Sequence, residues 1–299
     1  MTPLSFLRGL VDARLAPGAV SWLEGSAGEI RGGTSDERFS ALLSLASRYA
    51  RRVPLAPSVE ERANAERLVQ GWNPERWNLL ESARVALILA RSDLEGDGVV
   101  RALDAAFRYA DEGELCALLR SLALLPGAER FTWRAGEGCR SNMRSVFEAA
   151  ALDTPFPARH FDDLAWRQCV IKCLFVGAPL WRLWGLDERL SPELARMALD
   201  LADERRSAGR PVAHELWLCL GRHAGPRGLA ALERELAPTN PNVAGRCAAA
   251  LALARAGEKT RLARLAVEER DPAVQAAVTR ARAGETRATA FQQLETVRA

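Results

Sequence analysis

Helix-start chemistry recurs at short intervals along the 299 residues, and no run shows convincing strand alternation; together these restrict the chain to an all-α fold. Thr34-Ser35-Asp36-Glu37 and Ser58-Val59-Glu60-Glu61 read as capping boxes, in which two side chains satisfy the orphan amides of a first turn. Asn73-Pro74, Ser191-Pro192, Asn240-Pro241 and Asp271-Pro272 each place a capping residue before a proline at the first helical position. The stop signals are equally plain: Gly209, Gly257 and Gly284 follow arginine- or alanine-rich helix ends. Phe39, Leu42, Leu43, Ala46 and Tyr49 make one apolar stripe at helical spacing. Loops are expected at 51–55 and 92–98, and the glycine-rich stretch 25–33 reads as a mobile connector.

Charge narrows the function classes. The formal net charge is only +3 and both signs are interleaved, unlike the single basic patch of a nucleic-acid surface. Apolar runs such as 85–90 fall far short of the roughly 18 residues that span a bilayer, so no membrane insertion is expected. The N-terminus lacks a basic lead and a long apolar core, which argues against a secretory signal. Cys116, Cys139, Cys169, Cys173, Cys219 and Cys247 are scattered through apolar helical patterns, as reduced cysteines are in a cytoplasmic protein. Cys169 and Cys173 share a helix face, but nothing completes a four-ligand set, and no metal or cofactor is expected.

Only two of the 41 basic residues are lysines, Lys172 and Lys259. Lys172 interrupts the most apolar helix candidate, 166–177. Its ammonium must snorkel to water, find a buried partner, or serve a site as an anion anchor or desolvated amine.

Three segments are expected: 1–33, an N-terminal helix and connector; 34–222, a helical domain; and 223–299, short HEAT-like α-hairpin repeats. The repeat rests on Asn240-Pro241-Asn242-Val243 recurring as Asp271-Pro272-Ala273-Val274, each copy running on to Arg-Ala-Gly-Glu at 255–258 and 282–285.

Between 126 and 210 the sequence stops being generic. Glu137, Arg140, Asn142, Val146-Phe147-Glu148, Trp166, Gln168, Lys172, Phe175-Val176-Gly177, Pro179-Leu180 and Gly185-Leu186-Asp187-Glu188-Arg189 follow in order. On these residues the chain resembles the EboA family over about 35–220, with 223–299 as an extension. Arg167 and Trp181 depart from the residue types expected there. The resemblance implies a cytoplasmic protein of an operon that makes and exports a specialised metabolite, and it carries no catalytic residues.

Read from the residues, Glu137, Arg140, Ser141, Arg144 and Glu148 share one face if 137–150 is a single helix. Gln168 and Lys172 stack at i, i+4. With Asn142, Asp187 and Arg189, the charged and amide groups would suit a small polar or anionic metabolite, in a pocket walled by Phe147, Trp166, Phe175, Trp181 and Trp184. The competing reading is a ladder of ion pairs stapling helices together. His160, His214 and His223 stand without a nucleophile; His160 could pair with an aspartate beside it. The favoured function is a non-enzymatic accessory that binds or hands over a metabolite, with other proteins of the same operon as possible partners. The alternatives are a protein–protein scaffold using the HEAT-like helices, and an enzyme using a desolvated Lys172 as base or imine-forming amine.

Overall fold

The computed structural model describes residues 1–298, in two compact units that divide between Trp166 and Arg167. The described residues contain no strand, and their one β feature is an isolated bridge between Pro54 and Asn78. The protein is all-α.

The first unit contains α1 (Pro3–Asp12), α2 (Pro17–Arg31), α3 (Asp36–Leu45), α4 (Val59–Leu68), α5 (Leu79–Leu89), α6 (Asp97–Tyr109), α7 (Glu112–Ser121), α8 (Thr132–Arg140), α9 (Arg144–Ala151) and α10 (Phe156–His160). Its hub is α5, every residue of which is buried, with α1, α2 and α7 packed around it. Burying side chains such as Val85, Leu87 and Ile88 contributes roughly 2 kcal/mol each. The hub also contains charge. Arg84 is 2% exposed; it donates from Nε to the Leu43 carbonyl at 2.9 Å and lies 3.3 Å from Glu114 on α7. Glu81, which completes a capping box with Asn78, lies 3.3 Å from Arg120, also on α7. These two pairs fix the register of α5 against α7.

The expected connector at 25–33 is helical instead, because α2 runs to Arg31. Leu23, Ser26, Ala27 and Ile30 are buried, and α2 packs on α5. That burial outweighs the roughly 1 kcal/mol that each helical glycine costs relative to alanine. One cap in this unit also shifts. Ser35, not Thr34, caps α3, accepting from the Arg38 amide at 3.2 Å, and the box expected with Glu37 does not form. The box at Ser58 and Glu61 forms on α4.

α11 (Asp163–Val176) runs across the division in sequence and ends at Gly177, where φ of +66° suits a residue without a side chain. The second unit continues with α12 (Pro192–Ser207), α13 (Gly225–Glu235), α14 (Val243–Arg255), α15 (Lys259–Glu268) and α16 (Pro272–Arg282), and ends in 3-10 turns over Ala288–Arg298. α14 is its hub and packs against α13, α15, α16, the 3-10 segment His214–Cys219 and the final turns. Ten consecutive residues of α14, Ala244 to Leu253, are buried, and their alanines permit the close approach of its neighbours. Asn242 rather than Asn240 caps α14, while Asp271 caps α16 as expected. α14 and α16, which begin at the two recurring sequence segments, pack on each other. α15 follows α14 as a second helix; after α16 the corresponding place is taken by the 3-10 turns.

Candidate functional site

In the first unit, the expected single helix over 137–150 is two helices. Ser141 breaks it: its amide returns to the Gly138 carbonyl at 3.1 Å and its Oγ accepts the Met143 amide at 3.1 Å. Short hydroxyl side chains offer the backbone this alternative to helix continuation. Glu137 and Arg140 therefore ion-pair on α8, and Arg144 pairs with Glu148 on α9 at 2.7 Å. Asn142 lies exposed in the turn between, and Phe147 is fully buried.

The turn folds α9 back onto α8 through Gly138. A Cβ at this position would meet the Ala150 Cβ and a Leu119 methyl, both at 2.8 Å. Beside this contact is a cavity of about 310 Å³ walled by Phe107, Leu115, Leu119 and Val146, with Arg134 and Glu137 as its charged groups. The Arg134 guanidinium is held by Asp104 at 2.6 Å and stacks on Phe107 and Trp133 at 5.3 and 4.5 Å. Of the candidate residues in this unit, Glu137 alone lines that cavity.

Along α11, Trp166 is buried, Gln168 and Phe175 are exposed, and Lys172 is half-buried. Asp162 caps this helix by accepting the Ala165 amide at 2.7 Å. The His160 ring lies 4.7 Å from that of Phe156, tilted by 50°, and burial lowers its pKa below the ordinary histidine value.

In the second unit, Asp187 accepts from Arg255 at 2.7 Å and from the Ala288 amide at 3.1 Å. Arg255 also reaches the carbonyls of Thr286 and Leu218. This carboxylate ties the turn after Gly185 to the end of α14 and to the final 3-10 turns. A shallow cavity of about 380 Å³ opens beside it. Half-buried Trp181 donates from Nε1 to Glu295 at 3.0 Å; Trp184 and Arg189 are half-buried.

A further cavity contains none of the expected residues. It measures about 680 Å³ and lies among α13, α14 and α15, with Leu236, Leu253 and Leu265 as its apolar surface and Arg246, Arg264 and Arg270 among its charged groups. The signal for it is visible in the sequence. Arg246 interrupts the alanine-rich α14 as Lys172 interrupts α11.

The cysteines are buried. Burial pushes the Cys219 thiol up to about 12 and those of Cys116 and Cys247 up to about 11, so these three are protonated at neutral pH. Among the described residues, no group of three or more His, Cys, Asp or Glu could hold a metal ion, and no helix is long and apolar enough to cross a membrane.

Residues 4–221 match the family model described as metabolite traffic protein EboA, so the chain belongs to that family. No curated protein and no solved structure matches it.

Proposed function

For this chain of a metabolite-traffic family, we propose a non-enzymatic cytoplasmic accessory that binds a small polar or anionic metabolite and hands it on within a specialised biosynthesis and export pathway. The observation that carries this reading is the α6–α9 cavity. At about 310 Å³ it lies at the small end of the ligand-pocket range of roughly 300–1,000 Å³, and it sets two charged groups and Ser141 among apolar walls. Glu137 is the proposed contact inside it, with Arg140 and Asn142 on the adjoining exposed surface. Gln168, Lys172 and Arg189 are the proposed polar contacts of the second unit, considered separately.

The alternatives draw less support. Half-buried Lys172 is not the sealed, desolvated amine that imine chemistry uses. A scaffold docking on α14 would need an open face there, yet Ala248 to Leu253 are all buried; the other face it could use, 261–267 on α15, buries Leu262 and exposes Val267. The HEAT-like reading of 223–299 is retained as part of this proposal; it describes how helix pairs stack rather than what they bind.

Native mass spectrometry after incubation with host metabolite extract tests the reading. The wild-type chain is expected to retain a small molecule that Leu115→Trp, which fills the α6–α9 cavity, loses. Lys172→Ala is the parallel variant for the second unit. If no small molecule is retained by folded wild-type protein, the metabolite reading fails.

A further inference from the structure

The α13–α15 cavity lies beyond residue 221, outside the family match, and is independent of the site proposed above. Its size is well inside the range of small-molecule pockets. α14 presents Arg246 and Leu253, two turns apart, on one side. α15 presents Arg264, Leu265 and Glu268, also on one face.

The commitments of its charged groups decide what it can take. Glu233 is paired with Arg261 at 2.6 Å. Asp271 is occupied capping α16, accepting the amides of Ala273 and Val274. Glu269 is 6% exposed and accepts the amides of Arg270 and Asp271 as well as the Arg246 guanidinium. Those three carboxylates are satisfied.

The cations are less so. The Arg246 side chain is 8% exposed, and among the described residues only its Nη2 finds a partner, Glu269 at 2.5 Å; its Nε–H is buried without one. Such a buried donor is costly to leave where no acceptor reaches it. Arg264 lies 3.8 Å from Glu268 with both side chains more than half exposed, a pair too loose to hold it. Arg270, also on the lining, forms no ion pair with any described residue. Glu268 is as loosely held as Arg264 and offsets it, so the cation left without a carboxylate on the lining is Arg270, beside the partly satisfied Arg246 and a leucine surface.

We propose that this cavity binds a small organic acid, a carboxylate or phosphate on an apolar body, with Arg246 and the rim arginines Arg264 and Arg270 holding the anion while Leu236, Leu253 and Leu265 cover the body. A planar guanidinium suits both headgroups, because each offers two oxygens to its forked donors.

Calorimetric titration of the full chain with octanoate and octyl phosphate, against octanol and octylamine, tests this. An acid is expected to bind at least roughly tenfold tighter than octanol, the difference that a charge-assisted hydrogen bond makes, and octylamine is expected not to bind. Preference for octyl phosphate or for octanoate identifies the headgroup, and either supports the site. The exposed double variant Arg264→Gln/Arg270→Gln, which leaves the core untouched, is expected to weaken the acid by roughly tenfold or more. Arg246→Met is expected to abolish binding, and is read only if its circular dichroism matches wild type. Leu115→Trp is expected to leave this binding unchanged, which separates it from the α6–α9 site. The proposal is overturned if neither acid binds, if octanol or octylamine binds as well as the acids, or if the folded double variant binds unchanged.

Discussion

Asp187 and Arg255, 68 residues apart, meet at 2.7 Å, joining the family-matched sequence to α14 beyond it. Arg255 is only 4% exposed in its side chain and has Asp187 as its acidic partner. Asp187→Asn keeps the shape and removes the charge. The expected cost is about 2 kcal/mol, below the fully buried case because Asp187 remains 24% exposed. The urea midpoint at constant slope reads it, and Arg255→Met in the Asn background should recover part of the loss. An unshifted midpoint would mean that water replaces the carboxylate.

Acid should loosen the second unit through Glu269. Burial alone would raise its pKa, but the amides of Asp271 and Arg270 and the Arg246 guanidinium outweigh it and hold the carboxyl below the ordinary 4.5. Because the folded value is the lower one, its contribution is complete above the unfolded value and is lost as pH falls through the folded one. Glu61, held low chiefly by its bond to Arg14, acts in the same direction in the first unit. Stability should therefore decline as pH drops below 4.5, with a shallower decline in Glu269→Gln. Equal slopes for the two proteins would remove Glu269 from the account.

Gly138→Val should destabilise the first unit. Its first added atom meets Ala150 and Leu119 at 2.8 Å, and overpacking of this kind costs typically about 1–3 kcal/mol. Thermal melting measures it. The same variant should close part of the adjacent cavity, since Gly138 lines it. A melting temperature equal to wild type would show that α8 and α9 can separate freely.

Thiol labelling near pH 8 should be slow. Cys116, Cys219 and Cys247 hold thiols pushed up by burial to about 11, 12 and 11, and the other three cysteines are buried as well. All six should react promptly once the chain is unfolded in guanidinium. Rapid labelling of the native protein at any of the three would contradict this environment.

Helix boundaries were legible where the signal is local. Ser58, Ser191 and Asp271 cap helices because a short acceptor precedes a first turn, and Gly209, Gly257 and Gly284 end them at φ of +66°, +81° and +93°. α2 was not legible, since its glycines argue for a loop and only its burial on α5 makes it a helix. The break at Ser141 was also hidden, because continuous helical spacing on either side outweighs one hydroxyl in a periodicity count. The α6–α9 cavity was partly visible through Glu137. Its walls come from α6 and α7, distant in sequence, and no spacing rule gathers Phe107 and Leu115 beside Val146. Arg246 stands in α14 as Lys172 stands in α11, a charge in an apolar helix, and it lines the cavity of about 680 Å³.

The hub position of α14 has a practical corollary. The family match ends at residue 221, yet Leu216, Trp217 and Leu218 are fully buried, in a 3-10 segment that packs on α14 more than twenty residues later. A fragment cut at the edge of the family match would turn that surface toward water and invite aggregation. The stretch beyond the match supplies, for the second unit, the other half of its interior; any shortened version of this chain has to carry α14 or a surrogate for it.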